Sequence, residues 1–437
     1  MKKSPGPAKK PLTRKTSIFQ RAGLVIFGLS LLVLVELILR LVPLGLQSAE
    51  DSDPFVGFSE LHPLYTSYRA PDGSQRLKTS PAKLRWFNEQ DFAARKEPGT
   101  FRIFSLGGST TFGRPFKDAT SFSGWLRVLL KRPAGTSGRR YEVINAGGIS
   151  YASYRVAVVL KELLAYEPDL FVIYTGHNEF LEARTYGDFF FQRTKAFKAR
   201  ELLSKLKSYR LLDGLWQGLR ERPGRGGFRQ GQGPGLLTPE VQTMLDQSAG
   251  LDYYQRDSLF SRGVFEHFRF NVARMISACR RAGVPVVFMD PVDNTSDFSP
   301  FKSQHSAGLP SSERAYFARL EAQGKALLEA GRVDQGIRLI EQAAALDSLF
   351  AGVHYRLGRA YIEAGDTARA WDHLVRAREL DVCPLRAQEP IHRFLQEETA
   401  GAGVDLLNLP ALYARNSPGG LLGMAMLTDH IHPTPEG

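Results

Sequence analysis

The chain has 437 residues and a formal net charge of +12, from 57 Lys and Arg against 45 Asp and Glu. This length exceeds one average domain and predicts two globular parts with appendages. The charge does not indicate nucleic-acid binding, because seven basic residues precede the first apolar run and the others are scattered among acidic residues without interleaved aromatic residues. With only Cys279 and Cys383, disulfides are excluded as the main source of stability.

The N-terminal region is typical of a membrane anchor. Residues 22–43 form an apolar run, about the ~20 residues with which a helix crosses a bilayer. Its charged residues, Glu36 and Arg40, stand four apart and can pair on one helix face. The basic residues of segment 1–21 predict a cytosolic tail, so the rest of the chain is expected on the extracytoplasmic side, periplasmic or extracellular. A cleaved signal peptide has a similar pattern, but the long run and the lack of a small-residue cleavage site favour a single-pass anchor.

The middle and C-terminal parts alternate strand-like and helical patterns. After a turn-rich segment, 44–99, expected to be a stalk or lead-in, the pattern predicts helices over 121–131, 154–166 and 268–282. It predicts strands over 101–106, 141–145, 170–174, 284–290 and 403–408. This alternation favours a parallel sheet covered on both faces, with reactive groups at the carboxyl ends of its strands. We expect residues 100–315 and 384–437 to form this α/β domain.

Two segments interrupt the alternation. Residues 194–235 include a run rich in Gly, Pro and Arg with few apolar residues, which predicts a flexible insertion. Residues 316–383 repeat with a period of 34, and the pairs are Gly324 with Gly358, Ala330-Gly331 with Ala364-Gly365, and Leu346-Asp347 with Leu380-Asp381. This register resembles the tetratricopeptide repeat, a pair of antiparallel helices that usually binds partner peptides, although its early Trp and late Pro are missing here. An ordinary helical hairpin is the alternative.

Three short motifs supply the groups needed for acyl transfer: Gly107-Gly108-Ser109-Thr110, Gly176-His177-Asn178-Glu179 and Asp429-His430-Ile431-His432-Pro433. Each follows an apolar strand-like run, or lies in a loop beyond one. Together they provide a hydroxyl nucleophile, an amide donor, a carboxylate and an imidazole. Each motif taken alone also has a purely structural interpretation.

The first two motifs can build a nucleophile and an oxyanion site. Ser109 stands where a strand gives way to a helix, so its backbone N–H can point towards a developing oxyanion. The alternatives are a plain turn and a phosphate-binding loop, but no Gly-Lys-Ser/Thr follows. Asn178 can donate its side-chain amide to the same oxyanion, or it can cap a turn.

The last motif can supply a general base. Asp429 and His432 stand three residues apart, so the carboxylate can orient an imidazole that takes the proton of Ser109. Asp429, His430 and His432 could instead ligate a metal, but no further cluster of His or Cys has ligand spacing. We interpret His430 as a surface or packing residue, and we expect neither a metal nor a cofactor.

These three blocks, in this order, resemble those of the SGNH or GDSL-type hydrolases. The resemblance implies a flavodoxin-like three-layer α/β/α sandwich, with Ser109 as nucleophile, His432 as base and Asp429 as the residue that orients it. It implies an oxyanion hole made of the Ser109 N–H, Asn178 and the glycine block at 145–150, where Gly148 and Ser150 are the candidates. The chain departs from the family at Gly108, where the signature has aspartate, and at Ser150, which stands at the oxyanion position of the glycine block.

Two further expectations come from the same resemblance. Segment 293–305 is similar to a loop of membrane-anchored, repeat-bearing members and implies that Phe301, Lys302 and His305 lie near the substrate mouth, while a capped loop is the alternative. Family members continue into a closing helix, so the chain is expected to be truncated after Gly437.

The sequence therefore predicts a membrane-anchored serine esterase that acts on an ester-bearing substrate, which could be a glycan or a lipid. One alternative is an O-acyltransferase that uses the same site to acylate a cell-envelope glycan, because only the acceptor differs. Another is a non-catalytic scaffold whose repeats recruit a protein partner.

Overall fold

We describe the fold from a computed structural model of the chain, which describes residues 63–131, 139–181, 183 and 254–437. It also describes eight single positions between 23 and 38, all of them helical. The basic tail, most of the anchor, the start of the lead-in and the insertion at 194–235 lie outside the described residues. Within the described part of the chain we find no helix with the length and hydropathy of a membrane span.

The chain divides into two compact units. One consists of residues 1–54 and 192–229, and the other consists of residues 55–191 and 230–437. All of the strands and helices named below belong to the second unit.

A small sheet stands where the turn-rich composition predicted a stalk or lead-in. Strands β1 (Tyr65–Arg69), β2 (Gln75–Thr79) and β3 (Asp91–Ala93) form an antiparallel sheet in that order. The ring of Phe92 lies 4.9 Å from that of Tyr65 and 5.8 Å from that of Phe104, both with edge-on geometry. Because these aromatic residues join the main core, residues 65–93 are part of the folded domain.

Five parallel strands form the central sheet, in the spatial order β5-β4-β6-β7-β8. Their bounds are β4 (Thr100–Gly107), β5 (Arg140–Gly147), β6 (Leu170–Tyr174), β7 (Val286–Met289) and β8 (Asp405–Leu407). Counted along the chain, the order is 2-1-3-4-5, so the direction of strand addition reverses between β4 and β6. The predicted parallel α/β sheet is confirmed.

Ten α-helices have both of their ends within the described residues. In chain order they are α1 (Ser109–Phe112), α2 (Phe122–Lys131), α3 (Ser153–Leu163), α4 (Ser258–Ala282), α5 (Ser311–Glu329), α6 (Val333–Leu346), α7 (Ala351–Glu363), α8 (Thr367–Glu379), α9 (Glu389–Ala402) and α10 (Leu409–Asn416). Helix α4 begins ten residues before its predicted start, because Asp257 caps it by accepting from the N–H groups of Leu259 and Phe260.

The register of the central sheet places apolar side chains in cross-strand rows. One row joins Phe104, Phe171 and Val286, and the next joins Leu106, Ile173 and Phe288. All six side chains are buried in one core cluster, together with residues of α3, α4 and α9. These helices therefore cover one face of the sheet, and the sheet becomes a rigid platform for the loops at its carboxyl edge.

The repeat region forms two equivalent helical hairpins, α5 with α6 and α7 with α8, which we call the helical module. Both hairpins turn through three residues, and α6 and α8 begin 34 residues apart, at Val333 and Thr367. A Cβ atom on Gly324 would lie 2.5 Å from Ile340, and one on Gly358 would lie 2.5 Å from Leu374. The same close helix contact thus occurs in both hairpins.

Candidate active site

The three motifs meet at the carboxyl edge of the central sheet. Ser109 follows β4 directly, and Asn178 lies in the loop that follows β6. The Oγ atom of Ser109 lies 2.8 Å from Nε2 of His432, whose Nδ1 lies 2.7 Å from Oδ2 of Asp429. This position between β4 and β6 is where the strand order reverses, and in open parallel sheets ligands bind at such a point.

Two glycines allow Ser109 to stand at this position. A Cβ atom on Gly107 would lie 2.0 Å from the carbonyl oxygen of Tyr174, and its φ of +156° is one that L side chains rarely adopt. A Cβ atom on Gly108 would lie 2.6 Å from Nδ2 of Asn178. A side chain at position 108 would therefore displace Asn178.

The contacts of Asp429 select the tautomer of His432. Its Oδ1 accepts from the backbone N–H groups of Ile431, at 2.9 Å, and His432, at 2.8 Å, and its Oδ2 faces Nδ1 of His432. Because an ionised carboxylate only accepts hydrogen bonds, Nδ1 of His432 carries the proton. In the neutral form of the ring, Nε2 then has no proton and accepts the hydroxyl hydrogen of Ser109.

Asp429 is held in its ionised form. Burial alone would raise the pKa of its carboxyl, but the hydrogen bond from His432, the positive charges that His432 and His430 have when protonated, and the backbone N–H of Ile431 hold this pKa well below its usual range. A carboxylate that stays ionised can stabilise an imidazolium on His432.

The group is shielded from solvent, since Ser109 is 2% exposed and His432 3% exposed. A cavity of about 10 Å³ lies beside Ser109 and is also lined by Gly108, Tyr151 and Asn178. This is roughly the space that one water molecule occupies, so the cavity accommodates a single oxygen atom.

Two donors for an oxyanion adjoin this cavity. The side-chain amide of Asn178 uses one N–H to bind the carbonyl oxygen of Tyr151 at 3.1 Å, which leaves its second N–H for another acceptor. Among the described residues, no acceptor is found for the backbone N–H of Ser109. Both groups therefore have hydrogen-bonding capacity to offer.

The glycine block contributes differently from one position to the next. The N–H of Gly148 donates to the carbonyl oxygen of Gly107 at 2.9 Å, so it cannot serve an oxyanion without losing that bond. Ser150 has a left-handed backbone with φ of 60°, and its carbonyl oxygen accepts from Nη2 of Arg155.

The other polar residues of the second motif are structural. Burial lowers the pKa of His177 to about 3, so its ring is neutral. The N–H of Ala387 donates to Nδ1 of His177, which leaves Nε2–H to donate to the Tyr174 hydroxyl at 3.1 Å. Glu179 accepts from the N–H and the hydroxyl of Ser153 at the first turn of α3. Neither residue is bonded to Ser109.

His430 packs against aromatic rings and does not bind Ser109. Its ring lies 5.3 Å from those of Phe298 and Phe301, and burial lowers its pKa below the usual range. In the described residues, no group of three or more His, Cys, Asp and Glu side chains is arranged to hold a metal ion.

The predicted substrate loop is only partly close to the site. Phe301 reaches the Asp429–His432 loop through His430, whereas Nδ1 of His305 binds Asp347 of the helical module at 2.8 Å. The backbone N–H of Lys302 donates to Asp381 at 3.0 Å.

Sequence reasoning missed Asn294 and Arg386. Asn294 is fully buried and bonded to the Asp429–His432 loop, and Arg386 is 3% exposed and bonded to Asn294. Asn294 lies five residues beyond the end of β7, and its place beyond the carboxyl end of a parallel strand was the available signal.

Comparisons with family models and with curated proteins give no match. Among solved structures that resemble the chain is a mutant of the esterase AlinE4, with a TM-score of 0.23 and 13% identity over 45% of this chain. The chain spans 61% of that esterase's length, less than two thirds. At this level of similarity the chemistry of the site has to be inferred from its own residues.

The neutral state of His177 predicts a pH dependence of stability. Its pKa is about 3 in the folded chain, and about 6.5 when unfolded. Between these values only the unfolded chain binds the proton, so the free energy of unfolding falls by about 1.4 kcal/mol per pH unit as pH decreases. We expect His177→Gln to reduce the slope of the free energy of unfolding against pH by this amount between about pH 6 and pH 4. Urea unfolding at each pH provides the measurement.

Tyr174→Phe is the matched control, because it removes the hydrogen-bond partner of His177 but no group that titrates in this range. It should keep the slope of the unmodified chain. An unchanged slope in His177→Gln would contradict the neutral, buried state of this residue.

Proposed function

We propose that the chain is a serine esterase that hydrolyses an acyl or acetyl ester, with Ser109 as nucleophile. The observation that carries this proposal is the continuous hydrogen-bonded path from Ser109 Oγ through His432 to Asp429, beside the amide of Asn178. Within the serine esterases, the order of the three blocks favours the SGNH type.

In the proposed acylation step, Ser109 Oγ attacks the ester carbonyl carbon while its proton moves to Nε2 of His432. The carbonyl oxygen becomes an oxyanion, which accepts from the Ser109 N–H and from Asn178. Losing one such donor typically costs about 100- to 1000-fold in turnover. The intermediate then collapses, and the leaving alkoxide takes the proton from His432.

In the deacylation step, water attacks the acyl group on Ser109 and gives its proton to Nε2 of His432. A second oxyanion forms and collapses, the carboxylic acid leaves and Ser109 recovers its proton. Asp429 stays ionised throughout and stabilises the imidazolium form of His432.

The architecture also supports the SGNH type. The strand order 2-1-3-4-5 is the flavodoxin-like order, which fits a three-layer α/β/α sandwich. We further assign the helical module to the tetratricopeptide type. The period of 34 residues and the repeated contacts of Gly324 and Gly358 support this assignment.

We also propose that residues 22–43 anchor the chain in a membrane, with the esterase domain on the extracytoplasmic side. Five apolar side chains in this run, those of Phe27, Leu31, Leu34, Leu37 and Ile38, are helical and 51% to 69% exposed. Water disfavours such exposure, and lipid would cover these side chains.

Labelling with a fluorophosphonate probe tests the nucleophile without knowledge of the substrate. We expect the full chain to be labelled at Ser109 and Ser109→Ala to lose both labelling and ester hydrolysis. Ser105→Ala is the control, because its buried hydroxyl on β4 has no partner among the described residues. The proposal fails if the full chain is not labelled, or if Ser109→Ala is labelled like the unmodified chain.

Asp429→Asn tests the role of the carboxylate. An amide that keeps its oxygen towards the two backbone N–H groups would turn its NH₂ towards His432 and force the proton onto Nε2. We expect kcat to fall by about 10⁴-fold, as when a triad histidine is held in the wrong tautomer. Steady-state kinetics on short acyl esters provide the measurement.

The chain offers a matched control in Asp290→Asn. Asp290 is also buried and accepts from Nδ1 of a histidine, His392, at 2.7 Å, but this pair does not contact Ser109. The kcat of Asp290→Asn should stay within about threefold of that of the unmodified chain, since no proton moves at the Asp290–His392 pair in the proposed step. Equal losses in both variants would assign the effect to general destabilisation.

The anchor is tested by extraction of membranes with alkaline carbonate. The 437-residue chain should stay in the membrane pellet, because an apolar helix of this length is not released by charge or salt. A variant that begins at residue 44 should be released. Release of the full chain under the same conditions would refute the anchor.

A further inference from the structure

The loop that carries Asp429 and His432 depends on another segment for its position. It lies in an irregular stretch after α10, and Asn294 holds it at two consecutive peptide groups. The backbone N–H of Asn294 donates to the carbonyl oxygen of His430 at 2.9 Å, and its side-chain amide donates to that of Asp429 at 3.1 Å. Nearby, the N–H and hydroxyl of Ser296 both donate to the carbonyl oxygen of Leu422.

Two buried arginines hold Asn294 and its neighbour Asp293 in turn. Nη1 of Arg386 donates to the carbonyl oxygens of Asn294, at 2.7 Å, and Phe298, at 3.1 Å. Nη1 of Arg378 binds the carboxylate of Asp293 at 2.9 Å. Arg378 belongs to α8, and Arg386 lies in the connection from α8 to α9. The helical module is thus bonded to Asp293, and the connection that follows it is bonded to Asn294.

Further hydrogen bonds join the ends of α6 and α8 to the residues that follow Asn294 in the chain. Asp381, just after α8, accepts from the N–H groups of Phe301, at 2.7 Å, and Lys302, at 3.0 Å. Asp347, just after α6, accepts from the N–H of Ser306 at 3.0 Å. These two carboxylates stand at equivalent positions of the repeat, 34 residues apart, and bind one continuous stretch. We call residues 293–306 the clamp segment.

The charges of this contact are paired inside the protein. Asp293 is 1% exposed, Arg386 3% and Arg378 6%. Burial alone would raise the pKa of Asp293, but the two arginines hold it below its usual range. Since a buried charge without a partner is costly, the arrangement strongly favours one position of the clamp segment.

We propose that the helical module, together with the connection from α8 to α9, is a positioning device for the active site, which acts through Arg386 and Asn294 to keep the Asp429–His432 loop within reach of Ser109. Neither residue contacts the reacting atoms, so both are positioning residues. The effect on turnover rests on the proposed esterase function, whereas the effect on the loop does not.

The activity test compares Asn294→Ala and Arg386→Met, each made in the 437-residue chain, with the unmodified chain. Reactions of this kind lose about 100-fold in rate when a reacting group is displaced by about 1 Å. We expect kcat and the rate of fluorophosphonate labelling to fall about 10- to 100-fold. KM should stay within about twofold, because the substrate contacts are unchanged.

Arg102→Met is the matched control. Arg102 is fully buried, pairs with Glu142 and donates to the carbonyl oxygens of Tyr166 and Ala93, but it lies near the amino end of β4. It should lower the melting temperature while leaving kcat unchanged at temperatures where every variant is folded. If Arg386→Met does not fold, Asn294→Ala decides, since it removes only side-chain bonds, among them those to the Asp429 carbonyl oxygen and from the Asp297 N–H, and keeps the backbone bond to His430.

Amide hydrogen exchange of residues 424–434 tests the positioning without any activity. We expect faster exchange in this segment in Asn294→Ala and Arg386→Met, but not in Arg102→Met. Unchanged exchange in both variants, or normal kcat and labelling in folded variants, would overturn the proposal. If the unmodified chain is not labelled, the esterase function fails, and exchange alone then decides whether the module positions the loop.

Discussion

The geometry of the candidate active site depends on one hydrogen bond, from Ser109 Oγ to Nε2 of His432, between residues 323 positions apart. The two residues that form this bond are held in place in very different ways. Ser109 stands on a turn between a buried strand and a short helix, and this turn is packed so closely that no side chain fits at Gly107. His432 lies in an irregular stretch with no sheet or helix of its own. The geometry of the site is therefore limited by how well that second side is held.

Some of the hydrogen bonds that hold the Asp429–His432 loop lie within the loop itself. Asp429 accepts from the N–H groups of Ile431 and His432, and the N–H of Thr428 donates to the carbonyl oxygen of His432 at 2.7 Å. These bonds shape the loop, but they do not fix its distance from the sheet. That distance is set by Asn294, which follows β7 in the same sheet that carries Ser109. The sheet thus supports both ends of the bond, directly at Ser109 and through the clamp segment at His432.

Much of the fold could be predicted because its signals are local. The strands of the central sheet are short apolar runs stopped by glycine or polar residues, and the 34-residue period marks the turns of the helical module. The small sheet β1–β3 escaped prediction because its core residues, such as Tyr65 and Phe92, are separated by turn-rich sequence and matter only once they meet Phe104. Helix α9 was also missed, although its buried residues Ile391, Leu395 and Thr399 repeat every four positions.

The site shows the same division. The residue types of Ser109, Asn178, Asp429 and His432 could be read from short motifs. By contrast, nothing near Gly148 in the sequence indicates that its N–H is used by Gly107. The positioning residues are harder still, because Arg386 lies 92 residues from Asn294. A buried arginine bonded to backbone carbonyl oxygens has no sequence pattern.

The place of the helical module in the chain explains how it can act on the site. The chain leaves the sheet at β7, passes through the clamp segment into α5, and returns from α8 through Arg386 to α9 and β8. The segments that lead into and out of the module are therefore bonded to each other, since Arg386, which follows α8, binds Asn294, which precedes α5. An insertion tied at both ends in this way cannot move as a rigid body without straining residues 293–298.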